Sequence, residues 1–226
     1  MTDPSPAFQI PLWADLLAVG IGSLQGALFA AGFRDRRLDL LGVAIIGIAT
    51  GFGGGILRDV LLARVPLALE SNGYLPVAVV AALLGMLLER VFRRLGVLLA
   101  ILDALTLGLF GAIGTTTALA AGLPEVPAVF LGALTAVGGS ILRDLLLNVP
   151  IALMRVGSLY AVAAIAGAAV LVVLRDLGTD VVIAAVVGLV LTATVRILAV
   201  LLHWTLPEQR AIERVRLRRR PPADPA

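Results

Sequence analysis

Residues 53–62 of the chain are GGGILRDVLL, and residues 138–147 are GGSILRDLLL. The two segments lie 85 residues apart, nearly every position is identical or conservatively replaced, and both continue into a Val-Pro pair. Self-similarity at a long, fixed period is the signature of an internal duplication. We therefore expect the chain to contain two copies of one structural unit.

The composition is that of an integral membrane protein. The 226 residues are 60% hydrophobic and their mean hydropathy is +1.04, whereas soluble domains are about 45–50% apolar. A membrane-spanning helix needs about 20 mostly apolar residues. The sequence predicts seven such spans, at residues 12–33, 38–63, 74–92, 95–123, 126–148, 156–174 and 181–204.

The duplication extends into the spans that precede the two segments. Asp15 in the first span and Asp103 in the fourth are each followed by two glycines at the same spacing, which are Gly20 and Gly26 in one and Gly108 and Gly114 in the other. Each copy then holds three spans, and because three is odd the second copy enters the membrane from the opposite side. We predict an all-α membrane fold with two inverted three-helix repeats (12–92 and 95–174), a seventh helix (181–204) and a basic cytoplasmic tail (205–226).

The charges predict orientation and exclude several functions. Arginines cluster in alternate loops and in the tail, at Arg34, Arg36, Arg37, Arg90, Arg93, Arg94 and Arg155 and from Arg210 onward. This asymmetry predicts an outside N-terminus and a cytoplasmic C-terminus, with the tail at lipid headgroups rather than on nucleic acid. With no cysteine and one histidine, and without His-Glu-x-x-His or Gly-x-Ser-x-Gly sequences, we expect no cofactor, no resident metal and no enzymatic activity.

The duplicated segments predict broken helices beside buried charge. Glycine weakens a helix by about 1 kcal/mol relative to alanine, so we expect breaks at Gly53, Gly54 and Gly55 and at Gly138, Gly139 and Ser140. Freed carbonyls there could bind cations. Adjacent helix residues do not face each other, which favours cross-repeat pairing of Arg58 with Asp144 and of Arg143 with Asp59. The alternative is that the glycines serve close packing and the arginines bind local carbonyls.

Four further polar residues are candidates for lining a pore. Asp15 and Asp103 are equivalent in the two repeats, although Asp15 could simply stabilise the first turn of its helix. Thr50 and Thr135 lie at nearby depth, and their hydroxyls either line a polar path or bond their own helix carbonyls. Arg196 in the last span is expected to extend to the cytoplasmic surface.

The duplicated Gly-Gly-x-x-x-Arg-Asp-x-Leu-Leu segments in a three-plus-three-plus-one chain resemble the prokaryotic trimeric intracellular cation (TRIC) channels, a bacterial family that also carries a glycine-transporter label. The resemblance implies a homotrimer in a prokaryotic inner membrane, with a potassium or other monovalent cation pathway in each protomer. It implies kinks at the glycines, with Arg58 and Arg143 as pore or gate residues. A transporter for a small amino acid such as glycine is the alternative, and the resemblance favours the channel.

Overall fold

The computed structural model describes residues 11–33, 38–92, 96–154, 159–202 and 204. Within these residues the chain is helical and contains no strand. The arginine-rich loops and the tail, on which the predicted orientation rests, lie outside them. The α-helices are α1 (Leu12–Gly32), α2 (Leu40–Leu61), α3 (Leu67–Glu70), α4 (Tyr74–Phe92), α5 (Gly96–Ala120), α6 (Glu125–Leu147), α7 (Tyr160–Asp176) and α8 (Val181–Leu201).

Each of the seven predicted spans corresponds to one long helix, with ends shifted by a few residues. The sequence did not predict α3, nor the 3₁₀ turn Ala152–Met154 that occupies the matching place after α6. By length and composition, five of the described helices (α1, α2, α5, α6 and α8) can cross a membrane. The apolar part of α4 and the whole of α7 are shorter.

The predicted helix breaks are wrong. Both α2 and α6 remain α-helical through their glycines, from Leu40 to Leu61 and from Glu125 to Leu147. Tertiary packing outweighs the low helix propensity of glycine here, because the glycines of the two helices face each other. A Cβ built on Gly53 would lie 3.0 Å from the Cα of Gly139, and one on Gly138 would lie 3.0 Å from the Cα of Gly54.

At the crossing of α2 and α6, each helix also places a main-chain carbonyl against a glycine of the other. A Cβ on Gly54 would collide with the carbonyl oxygen of Thr135, and a Cβ on Gly139 would collide with that of Thr50. The two collisions are equivalent under the repeat. Two helices can approach this closely only where neither has a side chain in the contact.

Small residues also join the helices within each half. Gly26 of α1 accommodates Thr50 of α2, and Gly114 of α5 accommodates Thr135 of α6. Outside this centre, α1 packs on α2 and α4, whereas α8 packs on α5 and α7. The alternative interpretation of the glycines, close helix packing, is therefore confirmed at these positions.

Both duplicated helices end in a residue with a left-handed backbone, Ala63 (φ 52°) after α2 and Asn148 (φ 51°) after α6. This conformation costs a residue with a Cβ roughly 1–2 kcal/mol, and glycine avoids the cost. We expect Ala63→Gly to raise the free energy of unfolding by about 1 kcal/mol, measured by thermal unfolding in detergent. Ala44→Gly, inside α2, is the control and should lower it by about 1 kcal/mol. Equal losses in both variants would contradict the assignment.

Candidate functional site: two buried charge clusters

The duplicated Arg-Asp pairs are buried and pair within themselves. Arg58 is 2% exposed, and its Nε lies 2.7 Å from Oδ1 of Asp59. Arg143 is 4% exposed, and its Nη2 lies 2.8 Å from Oδ1 of Asp144. The predicted cross-repeat pairing is therefore wrong. It failed because the arginine side chain is long enough to fold back along its own helix onto the next carboxylate.

Each of these carboxylates also holds the segment that follows its helix. The amide of Leu67, at the start of α3, donates to Asp59 at 3.0 Å, and the amide of Ala152, in the 3₁₀ turn, donates to Asp144 at 2.7 Å. Arg64 adds a further ion pair to Asp59 at 2.6 Å. The Asp of each duplicated pair thus anchors both its arginine and the next turn of the chain.

The Asp15 cluster consists of Asp15, Arg58, Asp59 and Tyr74, and lies where α1 and α4 begin and α2 ends. The Tyr74 hydroxyl donates to Oδ2 of Asp15 at 2.7 Å. Oδ1 of Asp15 lies 4.0 Å from Nη1 of Arg58. That Nη1 is buried and has no hydrogen-bond partner among the described residues.

A small pocket of about 20 Å³, room for roughly one water molecule, adjoins this cluster. Its polar lining includes Asp15, Arg58 and Tyr74, and its apolar walls include Phe52 and Phe110. A buried guanidinium nitrogen without a partner loses the hydration it would have in water. The Asp15 cluster can therefore bind a water molecule.

The Asp103 cluster consists of Gln25, Asp103, Tyr160 and Arg196. Oδ1 of Asp103 accepts from Gln25 Nε2 at 2.7 Å and from the Tyr160 hydroxyl at 3.1 Å. Oδ2 accepts from Nε of Arg196 at 3.1 Å. The prediction that Arg196 extends to the surface is wrong, because Asp103 within reach offers its guanidinium an ion pair.

The two clusters contact α1 at different depths, one near its start and the other near its middle. Asp15 is near the start of this helix and Gln25 is ten residues further along, which corresponds to about 15 Å at 1.5 Å per residue. The neighbouring elements agree, because Asp103 and Tyr160 lie near the starts of α5 and α7, whereas Arg196 lies near the end of α8. The Asp15–Tyr74 bond of one cluster has its repeat equivalent in Asp103–Tyr160 of the other.

Arg143 lies beside the Asp103 cluster without pairing with its carboxylate. Its guanidinium carbon is 4.1 Å from the centre of the Phe29 ring, and its Nε donates to Asp144 at 2.9 Å. An arginine over an aromatic face is stabilised by the ring quadrupole. Arg143 is therefore held by its own Asp and by α1.

The candidate threonines bond their own helices. Thr50 donates to the carbonyl of Ile46 at 2.6 Å, and Thr135 donates to that of Leu131 at 2.7 Å. Both are buried at the helix contacts described above. Of the two interpretations of these hydroxyls, the local one describes the structure.

Sequence reasoning missed the two tyrosines and Gln25. A usable signal was present for the tyrosines, since the chain has only two and each begins the third long helix of its half. Gln25 has no polar counterpart in the second half, where the position 88 residues later is Ile113. Nothing in the local pattern marked it.

Comparison with known proteins identifies the family. The family described as "Glycine transporter" matches in two stretches, residues 12–90 and 100–176. The inner membrane protein YadS of Escherichia coli (strain K12), a UPF0126 protein, is 33% identical over 198 residues, which cover 86% of this chain and 94% of YadS. A UPF0126 membrane protein of Deinococcus radiodurans is 40% identical over 158 residues, covering 69% and 72% of the two chains.

Solved structures show the same fold. A TRIC cation channel structure is 34% identical, covers 87% of this chain and 96% of its own, and superposes with a TM-score of 0.76. The TRIC orthologue from Rhodobacter sphaeroides is 30% identical, covers 85% and 98%, and superposes with a TM-score of 0.78. The chain belongs to the UPF0126 membrane-protein family, which the glycine-transporter family model also describes, and it has the fold of the TRIC channels.

Proposed function

We propose that this protein is a cation channel that conducts potassium, or monovalent cations with weak selectivity, through a pathway within each protomer of a homotrimer. The observation that carries the proposal is the similarity over most of the chain to two TRIC structures, one of them described as conducting cations and the other as trimeric. The pathway would run between the two halves and join the two charge clusters.

The proposed membrane architecture has seven spans in two inverted three-helix repeats (12–92 and 95–174), an added seventh helix (181–204) and a cytoplasmic tail (205–226). Several observations support it. The α2–α6 contacts occur in two-fold pairs, the two Asp–Tyr bonds are equivalent, and the family model matches in two stretches. An outside N-terminus and a prokaryotic inner membrane complete the proposal.

Arginine beside a cation pathway repels the permeant ion unless its charge is balanced. In both halves the guanidinium is paired with the adjacent carboxylate, so its field is largely cancelled at a distance. Asp15 Oδ1 accepts no hydrogen bond from the described residues, and Arg58 lies 4.0 Å away. We therefore assign Asp15 the role of attracting cations at its end of the pathway.

The decisive test is recording from the purified protein in planar bilayers under a potassium gradient. Discrete unitary currents that reverse near the potassium equilibrium potential support the channel. The absence of current in bilayers that contain folded, trimeric protein would contradict the channel proposal. Crosslinking in mild detergent, read out as a three-protomer band, tests the trimer separately.

Neutralising Asp15 should weaken the current. Asp15→Asn removes a buried negative charge that concentrates cations, so we expect the unitary conductance at low salt to fall several-fold, about two to ten, and to recover at high salt. Asp176→Asn, at the exposed end of α7, is the matched control and should conduct like the parent. An unchanged conductance in Asp15→Asn at low salt would remove Asp15 from the pathway.

Glycine transport is the second candidate, and one geometric observation favours it. Nη1 of Arg58, which makes no hydrogen bond within the described residues, and Oδ1 of Asp15 lie 4.0 Å apart beside a small pocket. Such a pair suits the carboxylate and the ammonium of a small amino acid. Saturable, competable glycine uptake in liposomes, together with silent bilayers, would favour this function over the channel.

A further inference from the structure

The two carboxylates that are equivalent under the repeat have different arginine partners. Asp15 faces Arg58, the duplicated arginine of its own half. The equivalent partner for Asp103 would be Arg143, but Arg143 binds Asp144 and Phe29 instead. Asp103 is paired with Arg196, which belongs to α8, the helix with no counterpart in the first half.

The two carboxylates also differ in how firmly they are held. Asp15 accepts one side-chain hydrogen bond, from Tyr74, and its nearest guanidinium nitrogen is 4.0 Å away. Asp103 accepts three, from α1, α7 and α8, at 2.7, 3.1 and 3.1 Å. Hydrogen bonds to a charged group are the stronger kind, and a network of them restrains every element that contributes.

Arg196 is itself positioned on two sides. Its guanidinium carbon lies 4.8 Å from the centre of the Tyr160 ring, while its Nε binds the carboxylate. Side chains of both Arg196 and Asp103 are 15% exposed. The ion pair is thus partly shielded from solvent and links the end of α8 to the start of α5.

We propose that Arg196 is a latch that holds the Asp103 end of the pathway closed, and that α8 thereby makes the two ends of the protein functionally unequal. Two inverted repeats alone would give equivalent ends. The latch occupies the carboxylate that a cation would otherwise meet at that end, whereas Asp15 accepts a hydrogen bond from Tyr74 alone among the described side chains and has its nearest guanidinium nitrogen 4.0 Å away. The inference rests on the proposed channel function for its electrical consequences, and on the α5–α8 ion pair for its structural ones.

Single-channel recording tests the latch. The readouts are the open probability and the rectification ratio, defined as the larger over the smaller conductance at voltages of equal size and opposite sign. We expect a ratio above one in the parent protein. In Arg196→Gln the open probability should rise about fivefold or more, the lower range of coupling between linked sites, and the ratio should approach one. Arg196→Lys, which keeps the charge, should restore much of the parent behaviour.

Two controls isolate the ion pair. Arg175→Gln removes an exposed arginine that binds only its local carbonyl, that of Thr179, among the described contacts, and should leave both readouts unchanged. In a protein that already carries Asp103→Asn, adding Arg196→Gln should change neither the open probability nor the rectification ratio. Unchanged gating in Arg196→Gln, or the same change in both backgrounds, would overturn the proposal.

A separate measurement distinguishes failure of the latch from failure of the channel. If the parent protein passes no current, the channel is wrong and the electrical part of the latch falls with it, and thermal unfolding in detergent then tests the structural part, the coupling of Arg196 to Asp103. Arg196→Gln should lower the Tm of the parent but not that of Asp103→Asn, because coupled partners are non-additive. Equal lowering in both backgrounds would show that Arg196 does not act through Asp103.

Discussion

Replacing Gly54 or Gly139 with alanine should lower the free energy of unfolding by about 1–3 kcal/mol, the range for overpacking a tight contact. A Cβ at Gly54 would collide with the carbonyl oxygen of Thr135, and one at Gly139 with that of Thr50. Main-chain carbonyls of an intact helix cannot rotate away as a flexible side chain can. The α2–α6 crossing would have to open, and every contact around it would loosen.

Gly55→Ala is the matched control for this effect. A Cβ there would touch only Nη2 of Arg58, at 4.0 Å, and the equivalent position in the second half already carries a side chain, that of Ser140. We expect Gly55→Ala to be neutral or stabilising by up to about 1 kcal/mol through helix propensity. Samples of each variant are heated, and the folded fraction that remains at each temperature is measured by size-exclusion chromatography. Similar losses at Gly54 and Gly55 would show that glycine acts through flexibility and not through close approach.

Removing the carboxylate of either duplicated pair should be the most damaging change near the clusters. Asp59→Ala strands the buried Arg58 and removes the acceptor for Leu67, while Asp144→Ala does the same to Arg143 and Ala152. Breaking one side of a buried ion pair costs about 3–5 kcal/mol. We expect both variants to give little folded protein, as measured by the yield of the monodisperse peak from detergent extracts.

A conservative variant keeps this prediction testable. Asp144→Glu keeps the negative charge and adds one methylene group. We expect it to recover part of the folded yield that Asp144→Ala loses. Asp176→Asn, an exposed carboxylate, should match the parent. A normal yield from Asp59→Ala and Asp144→Ala would mean that neither ion pair holds its helix end in place.

The helices could be predicted because long apolar stretches and a duplicated segment are properties of the chain alone. The predicted spans therefore agree with α1, α2 and α4–α8 to within a few residues at most ends. The fate of the glycines could not be predicted from local pattern. Three weak helix formers in succession destabilise an isolated helix, but Gly53 and Gly54 pack directly against Gly138 and Gly139, and this contact keeps both helices intact.

The charge partners show the same limit. Spacing along one helix indicated that Arg58 and Asp59 point apart, and it ignored the length of the arginine side chain, which bridges the difference. Arg196 was predicted to reach the cytoplasmic surface because it lies about two turns before the end of the last span. Its partner, Asp103, is 93 residues away, and only the packing of α8 against α5 brings the two together.

Tyr74 and Tyr160 are the only tyrosines in the chain, and their hydroxyls bind Asp15 and Asp103 respectively. Uniform incorporation of 3-fluorotyrosine would therefore place one ¹⁹F nucleus in each cluster without any cysteine chemistry. The spectrum of the full protein should contain two resonances, which Tyr74→Phe assigns by deleting one. Each resonance would then report separately on its own end of the bundle in lipid.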